Sequence, residues 1–261
     1  MRFGLSIPPF TDAGTLVDLA VEAEGAGWDG VFLWDHLQFQ LGFGLPIHDP
    51  WVLLGAIARS TERVALGTLV TPLSRRRPQV VAKHVTTLDH LSGGRAVLGV
   101  GLGAPPDADF AAFGDEPDDR KRAAILDDRL DAVAAMLAGG EVTHHGKHTH
   151  IEADLRPAAV QRPRPPIWVA GVAPHRRPLE RAARWDGVAP IAMPEGMMRP
   201  NEVVAYLDGI TRPDPWDVVV PWCPGVAPAE YEAVGVTWLI ESTWPEDDWV
   251  SDFQTRVRNG P

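Results

Sequence analysis

Apolar positions along this chain follow two patterns that alternate from one end to the other. Short, nearly continuous runs are followed by longer stretches in which apolar residues recur every three or four positions, which is the alternation of buried strands with amphipathic helices. Residues 2–7 form the first run, which Pro8-Pro9 ends, and Leu16, Leu19, Ala20 and Ala23 then mark a helix face that stops at Gly25 and Gly27. A second run, 30–34, leads straight into Asp35-His36, and Asp49-Pro50 opens a helix that reaches Ala58. The clearest unit lies at 63–103. There a β-branched and aliphatic run, 64–70, is closed by Pro72, and Pro78 sits in a first helical turn. Val81, Val85, Leu88 and Leu91 recur at helical spacing until Gly93-Gly94 stops the pattern, and a further run, 95–100, ends in Gly-Val-Gly-Leu-Gly. Strand, helix and strand at this spacing make a parallel unit with a crossover helix.

The same alternation continues. Pro117 opens a helix whose Leu126, Leu130, Val133 and Leu137 share a face, ending at Gly139-Gly140. Residues 141–164, with Val142, His144, His148, His150 and Ile151 around Gly146, read as a hairpin-like insertion before the fifth strand. Strands are expected at 167–170, 187–191, 217–222 and 236–241, and helices at 176–184, 202–209, 229–234 and 246–257. Eight strands alternating with helices predict an α/β chain closed as a (β/α)8 TIM barrel, a single domain over residues 1–261.

Composition narrows the function classes. A chain of 261 residues with 45% hydrophobic content can bury one large core, and its net charge of −11 disfavours a nucleic-acid surface. A single cysteine, Cys223, rules out a disulfide within the chain and suits a reducing cytoplasm, where it reads as a small buried hydrophobe. No basic-then-apolar leader precedes the first strand and no apolar run reaches the ~18 residues of a membrane span, so a soluble cytoplasmic protein without a membrane partner is expected.

In such a barrel the chemistry sits just beyond the C-terminal ends of the strands. His36 is placed there, where an imidazole can hydrogen-bond a ligand or pass a proton, and Asp35 can fix a ring tautomer or simply structure the turn. The loop 38–47, rich in Gly, Leu and Phe, is long enough to cover a ring-shaped ligand. Arg75-Arg76-Arg77 suits a phosphate or carboxylate tail, or else a solvated turn paired with the acidic segment 115–119. Gly99, Gly101 and Gly103 let backbone approach a ligand. Ala170, Gly171 and Val172 lead to a helix start near His175 and Arg176, where backbone amides make an anion site or an ordinary cap. Trp34, Trp51 and Trp168 are candidates for pocket wall or core. His144, His145, His148 and His150 lack supporting Cys or carboxylate spacing, and no metal is expected.

The run LGTLVTPLSRRRPQVVAKHVTTLDHLSGGRAVLGVGLG, residues 66–103, resembles the central block of the luciferase-like monooxygenase superfamily, with further matches at PIWVAG and ARWDGVAP. The resemblance implies a (β/α)8 oxidoreductase that uses FMN or the deazaflavin F420 on a small organic substrate, by hydride transfer with F420 or monooxygenation with reduced FMN. WDHLQ looks like the segment that brings a histidine to the deazaflavin, so it favours F420 and marks His36, with Asp35, as catalytic. It also implies a bulge with a non-prolyl cis peptide at Thr68–Leu69, whose backbone, with Val70 and Gly101, supports the cofactor ring, and a phosphate turn at Gly171-Val172 assisted by His175 or Arg176. F420-linked sugar-phosphate dehydrogenases place a glutamate directly after the last glycine, where this chain has Ala104, which puts that substrate class in doubt. A homodimer is implied by resemblance alone. The competing reading is a catalytically silent flavin- or F420-binding carrier, and a third is a barrel serving another cofactor or none.

Overall fold

The computed structural model describes residues 1–42, 44–246 and 248–261. Phe43, within the loop expected to cover the site, and Asp247, within the expected closing helix, lie outside the described residues. The strands in chain order are β1 (Arg2–Ile7), β2 (Gly30–Leu33), β3 (Ala65–Pro72), β4 (Ala96–Gly101), β5 (Gly140–His145), β6 (His150–Leu155), β7 (Ile167–Ala173), β8 (Gly187–Ala192), β9 (Asp217–Pro221) and β10 (Trp238–Ser242). Among the described residues β5 and β6 stand apart as an antiparallel hairpin, and the other eight close a parallel barrel in the order β1-β10-β9-β8-β7-β4-β3-β2. The helices are α1 (Ala13–Ala26), α2 (Pro50–Ser60), α3 (Pro78–Ser92), α4 (Asp119–Ala138), α5 (Arg176–Ala182), α6 (Pro200–Leu207), α7 (Pro228–Ala233) and α8 (Trp249–Asn259).

Local chemistry sets most of these boundaries. Asp12 caps α1 by accepting from the Thr15 amide, and Gly27 ends it in the left-handed region at φ 94°, where a side chain would be strained. Asp49 caps α2 through the Trp51 and Val52 amides. Pro72 does not end β3 early but is its last residue, paired with Gly101. In α3 the buried stripe runs through Val81, Val85 and Leu88 to Asp89 and Ser92, and Leu91 is 40% exposed rather than part of it. Asp89, fully buried, explains this rotation, since its carboxylate accepts from the Val160 and Gln161 amides and from Gln161 Nε2, tying α3 to the segment that leads into β7.

Two cores result. One lies between strands and helices, and the other fills the barrel with Phe32, Val97, Trp168, Ala189, Val219, Trp238 and Ile240. Phe32, Trp168 and Trp238 pack with ring centroids 5.2–5.7 Å apart, Trp168 and Trp238 at the starts of β7 and β10 and the Phe32 ring against Gly4 and Gly30, plugging the barrel from below. Burying each such ring removes roughly 150–250 Å² from water, on the order of 4–6 kcal/mol before conformational entropy is charged. Trp168 is therefore floor of the barrel interior, and Trp51 stacks on His84 between α2 and α3.

Pairing of β3 with β4 runs from Thr68 on Leu98 to Thr71 on Val100, so β3 carries one extra residue. The non-prolyl cis peptide is Leu69–Val70, one position beyond the expected Thr68–Leu69. Thr68 remains in register, with its hydroxyl donating to the Gly99 carbonyl at 3.2 Å, so the irregularity begins only after it.

Candidate functional site

Residues from several strand ends converge at the C-terminal mouth through a buried ion network. Asp35, 2% exposed, accepts from the Thr71 hydroxyl at 2.8 Å and from Arg76 Nη2 at 2.6 Å, and Arg75 Nη2 donates to its backbone carbonyl at 2.7 Å. Arg75 also reaches Asp109 at 3.2 Å and Arg76 reaches Asp49 at 3.0 Å. Burial works to raise the Asp49 pKa, but the Arg76 bond and charge, with the Val52 and Trp51 amides, hold it below the usual carboxylate range. Burial likewise works against the Arg76 charge, yet Asp35 and Asp49 raise its pKa above the ordinary value. Two of the three candidate anion-binding arginines are thus occupied within the protein, and Arg77 stands exposed at the N-cap position of α3 without a side-chain capping bond. The partners are not those of the segment 115–119, because the turn carrying Arg75 and Arg76 folds over the end of β2 instead.

Asp35 points into this network and away from the imidazole beside it. The carboxylate nearest His36 is Asp109, fully buried in the loop after β4, with its Oδ2 3.4 Å from His36 Nδ1. This separation is within ion-pair reach but lacks hydrogen-bond geometry, and Nδ1 is buried with no hydrogen-bond partner. The accessible 14% of the His36 side chain is left for the edge that carries Nε2.

Aromatic rings surround that edge. His36 lies 5.2 Å from Phe39, 6.0 Å from Phe10 and 6.1 Å from Trp34, and Trp244 closes the group at 5.3 Å from Phe39 and 5.7 Å from Trp34. Trp34 Nε1 donates to Ser6 Oγ at 2.9 Å, which anchors the indole to β1. Phe39 is buried at 7% and Trp244 is 53% exposed, so the group grades from core to solvent.

The ends of β3, β4 and β7, next around the barrel from β2, bring a second group of residues together. A side chain added at Gly101 would stand 2.7 Å from Val70 Cγ2 and 3.5 Å from Ala170 Cβ, so the bulge residues Leu69 and Val70, Gly101 and Ala170 are brought together. Gly171 is required for close packing, since a Cβ there would lie 2.4 Å from Pro178 Cβ of α5. Beyond Val172, Arg176 donates to the carbonyls of Tyr206 at 2.7 Å and Asp208 at 2.9 Å, while Tyr206 Oη donates to the His175 carbonyl at 3.2 Å. Burial, only partly countered by Arg176, pushes the Tyr206 hydroxyl up to about 12, so it stays a donor at neutral pH. Arg176 and Tyr206 line a cleft of about 410 Å³ with Ala173, Pro174, Met198 and Glu202. A second cavity of about 360 Å³, lined by Arg2, Asp29, Arg95, Trp168 and Trp238, opens at the opposite, N-terminal end of the barrel and is remote from His36.

His144 bonds Asp128 at 2.9 Å, His145 bonds Glu152 at 2.8 Å and stacks on His150, and His148 donates its amide to Asp128, so the hairpin histidines pin β5 and β6 to α4 and to each other. Asp109, Phe10 and Trp244 went unseen in the sequence. Asp109 shares its loop with Asp107, and no local pattern separates the buried acid from the exposed one.

A family model described as Luciferase-like monooxygenase matches residues 1–200. A curated relative, the F420-dependent glucose-6-phosphate dehydrogenase of Beutenbergia cavernae, is 43% identical over 137 residues, 51% of this chain and 40% of its own length. That of Nakamurella multipartita is 39% identical over 136 residues, 51% of this chain and 39% of its own length. The chain thus spans well under half of these relatives. Among solved structures, the coenzyme F420 dependent tetrahydromethanopterin reductase of Methanopyrus kandleri aligns with a TM-score of 0.78 at 17% identity, covering 99% of this chain and 96% of its own. A monooxygenase from Streptomyces bottropensis aligns at 0.71 and 27% identity, covering 85% and 70%.

Proposed function

The chain belongs to the luciferase-like monooxygenase family, and from that premise we propose that it is a cofactor-dependent oxidoreductase acting at the C-terminal mouth of the barrel, with F420 as the favoured cofactor and FMN as the alternative. The observation that carries this reading is the convergence on one barrel mouth of a partly accessible imidazole, His36, with the β3 bulge at Leu69 and Val70 and with Gly101 and Ala170 at the ends of β4 and β7. The residues present fit such a group, because the irregular backbone of β3 at Leu69 and Val70 stands at the strand ends beside His36, with no side chain on Gly101 next to it. The cofactor, when bound, supplies the two-electron chemistry. The protein's share is to orient the ring on the β3 bulge, to hold water off with Phe10, Trp34, Phe39 and Trp244, and to move a proton at His36. The tail of the cofactor is assigned to the cleft beside Ala173, Pro174 and Arg176, in place of free arginines at 75 and 76.

The lining also selects the substrate class. Rings crowd the approach to His36, and Arg75 and Arg76 are held in ion pairs, which suits an uncharged, largely apolar molecule better than a sugar phosphate. Ala104 after the last glycine agrees with this. The whole chain is read as one domain that pairs with a second copy. Exposed Val52, Val80 and Leu91 on α2 and α3 support that pairing.

Titration with F420 and with FMN, each oxidised and reduced, tests the reading. F420 bound more tightly than FMN, with turnover of an uncharged ketone, enone or alcohol, is the expected result. Preference for reduced FMN with oxygen uptake would move the reading to oxygen chemistry, and binding without turnover over a broad panel would make the protein a carrier.

A further inference from the structure

We propose that Asp109 decides which nitrogen of His36 carries the proton and so makes Nε2 the atom that takes a proton from a substrate hydroxyl or returns it; this rests on the reading of His36 as the proton-transferring group. Asp109 is fully buried, and its two oxygens face different groups. Oδ1 accepts from the backbone amides of Leu37 at 2.7 Å and Gln38 at 3.2 Å, the two residues that follow His36. Oδ2 accepts from Arg75 at 3.2 Å and faces His36 Nδ1 at 3.4 Å. The amides clamp the carboxylate to the loop that carries the imidazole, so the two cannot drift apart independently.

Among the described residues, no other acceptor is placed to serve Nδ1. Asp35, next in sequence, is directed to Thr71, Arg75 and Arg76, and the rings of Phe10, Trp34 and Phe39 beside His36 offer no acceptor. A buried nitrogen that faces a carboxylate is favoured as N–H and disfavoured as a lone pair. In the neutral ring the proton therefore sits on Nδ1, and Nε2 presents its lone pair to the mouth. When Nε2 takes a hydroxyl proton, the ring becomes a cation whose charge faces Asp109, and the Nδ1 proton stays where it was. The 3.4 Å separation is longer than a formed hydrogen bond, as expected of a catalytic pair before a ligand closes the site. Asp109 is thus a positioning residue: it acts on substrate only through His36.

The decisive measurement needs no cofactor. Long-range 15N–1H correlation spectra of protein labelled in histidine, with His36 assigned by its loss in His36→Gln, read the tautomer directly. Wild type is expected to hold the proton on Nδ1. In Asp109→Asn the two loop amides still require an oxygen at the Oδ1 position, which turns the NH2 toward His36; that group donates to Nδ1 and drives the proton to Nε2. Turnover is then expected to fall about 100-fold or more, with cofactor affinity within threefold, and Asp109→Glu is expected to recover the Nδ1–H signal. A wild-type ring protonated on Nε2, or one whose tautomer is the same in Asp109→Asn, overturns the proposal, and the wild-type spectrum decides even where the variant folds poorly. Full turnover in His36→Ala would overturn the catalytic reading beneath it, a result independent of the tautomer.

Discussion

His36 keeps part of its side chain accessible while the charges of Asp35, Asp109, Arg75 and Arg76 around it pair with one another, and this contrast marks the candidate site at the scale of single residues. His36→Ala should lower turnover by about 10²- to 10⁴-fold, the usual share of a general acid–base group, with cofactor affinity little changed; steady-state kinetics and fluorescence titration separate the two. His84 behaves differently. Burial first, then the charge of Arg76, lowers its pKa below the ordinary histidine value, while Asp49 and Asp35 work weakly in the opposite sense. The unfolded chain therefore binds a proton that the fold refuses, so this contribution to stability is complete above about pH 6.5 and is lost as pH falls from there through the folded pKa. Melting temperature measured between about pH 8 and pH 5 should fall less steeply in His84→Gln than in wild type.

At the scale of elements, the contact between β3 and β4 is the closest approach the site depends on. A Cβ at Gly99 would stand 2.2 Å from the Thr68 carbonyl oxygen, a backbone atom that cannot step aside without moving the bulge. Gly99→Ala should cost about 1–3 kcal/mol in urea unfolding and weaken cofactor binding, because the displaced strand carries Leu69 and Val70. Asp89 plays the corresponding part on the outer layer, where three hydrogen bonds join α3 to the entry of β7. Asp89→Ala leaves those buried donors unpaired and should destabilise by about 3 kcal/mol, while turnover per folded molecule is expected to hold, since Asp89 lies far along α3 from the mouth.

At the scale of the whole molecule, β1 pairs with β10 and the barrel closes without an edge, so the first and last strands of the described chain are neighbours in one sheet. Unfolding in urea should accordingly trace one transition by tryptophan fluorescence and by far-ultraviolet circular dichroism, with coincident midpoints. Two separate transitions would count against a single domain.

The alternation of buried runs with amphipathic stretches, punctuated by Pro and Gly, carried the barrel in the sequence almost strand by strand, because hydrophobic period and breaker residues are local properties. Strand starts at Arg2, Gly30, Ile167, Gly187 and Asp217 coincide with those expected, and the placement of His36 just past β2 followed from the same pattern. Which groups each of these residues meets was decided only by contacts between segments far apart in the chain. In the sequence Asp35 could serve the site or only the turn, and the arginines at 75 and 76 a ligand tail or a paired turn; in the fold they neutralise one another, and the carboxylate at His36 is Asp109, seventy-odd residues away in its own loop. Pairing of buried charges minimises their desolvation cost across the fold, a global condition that no window of sequence contains.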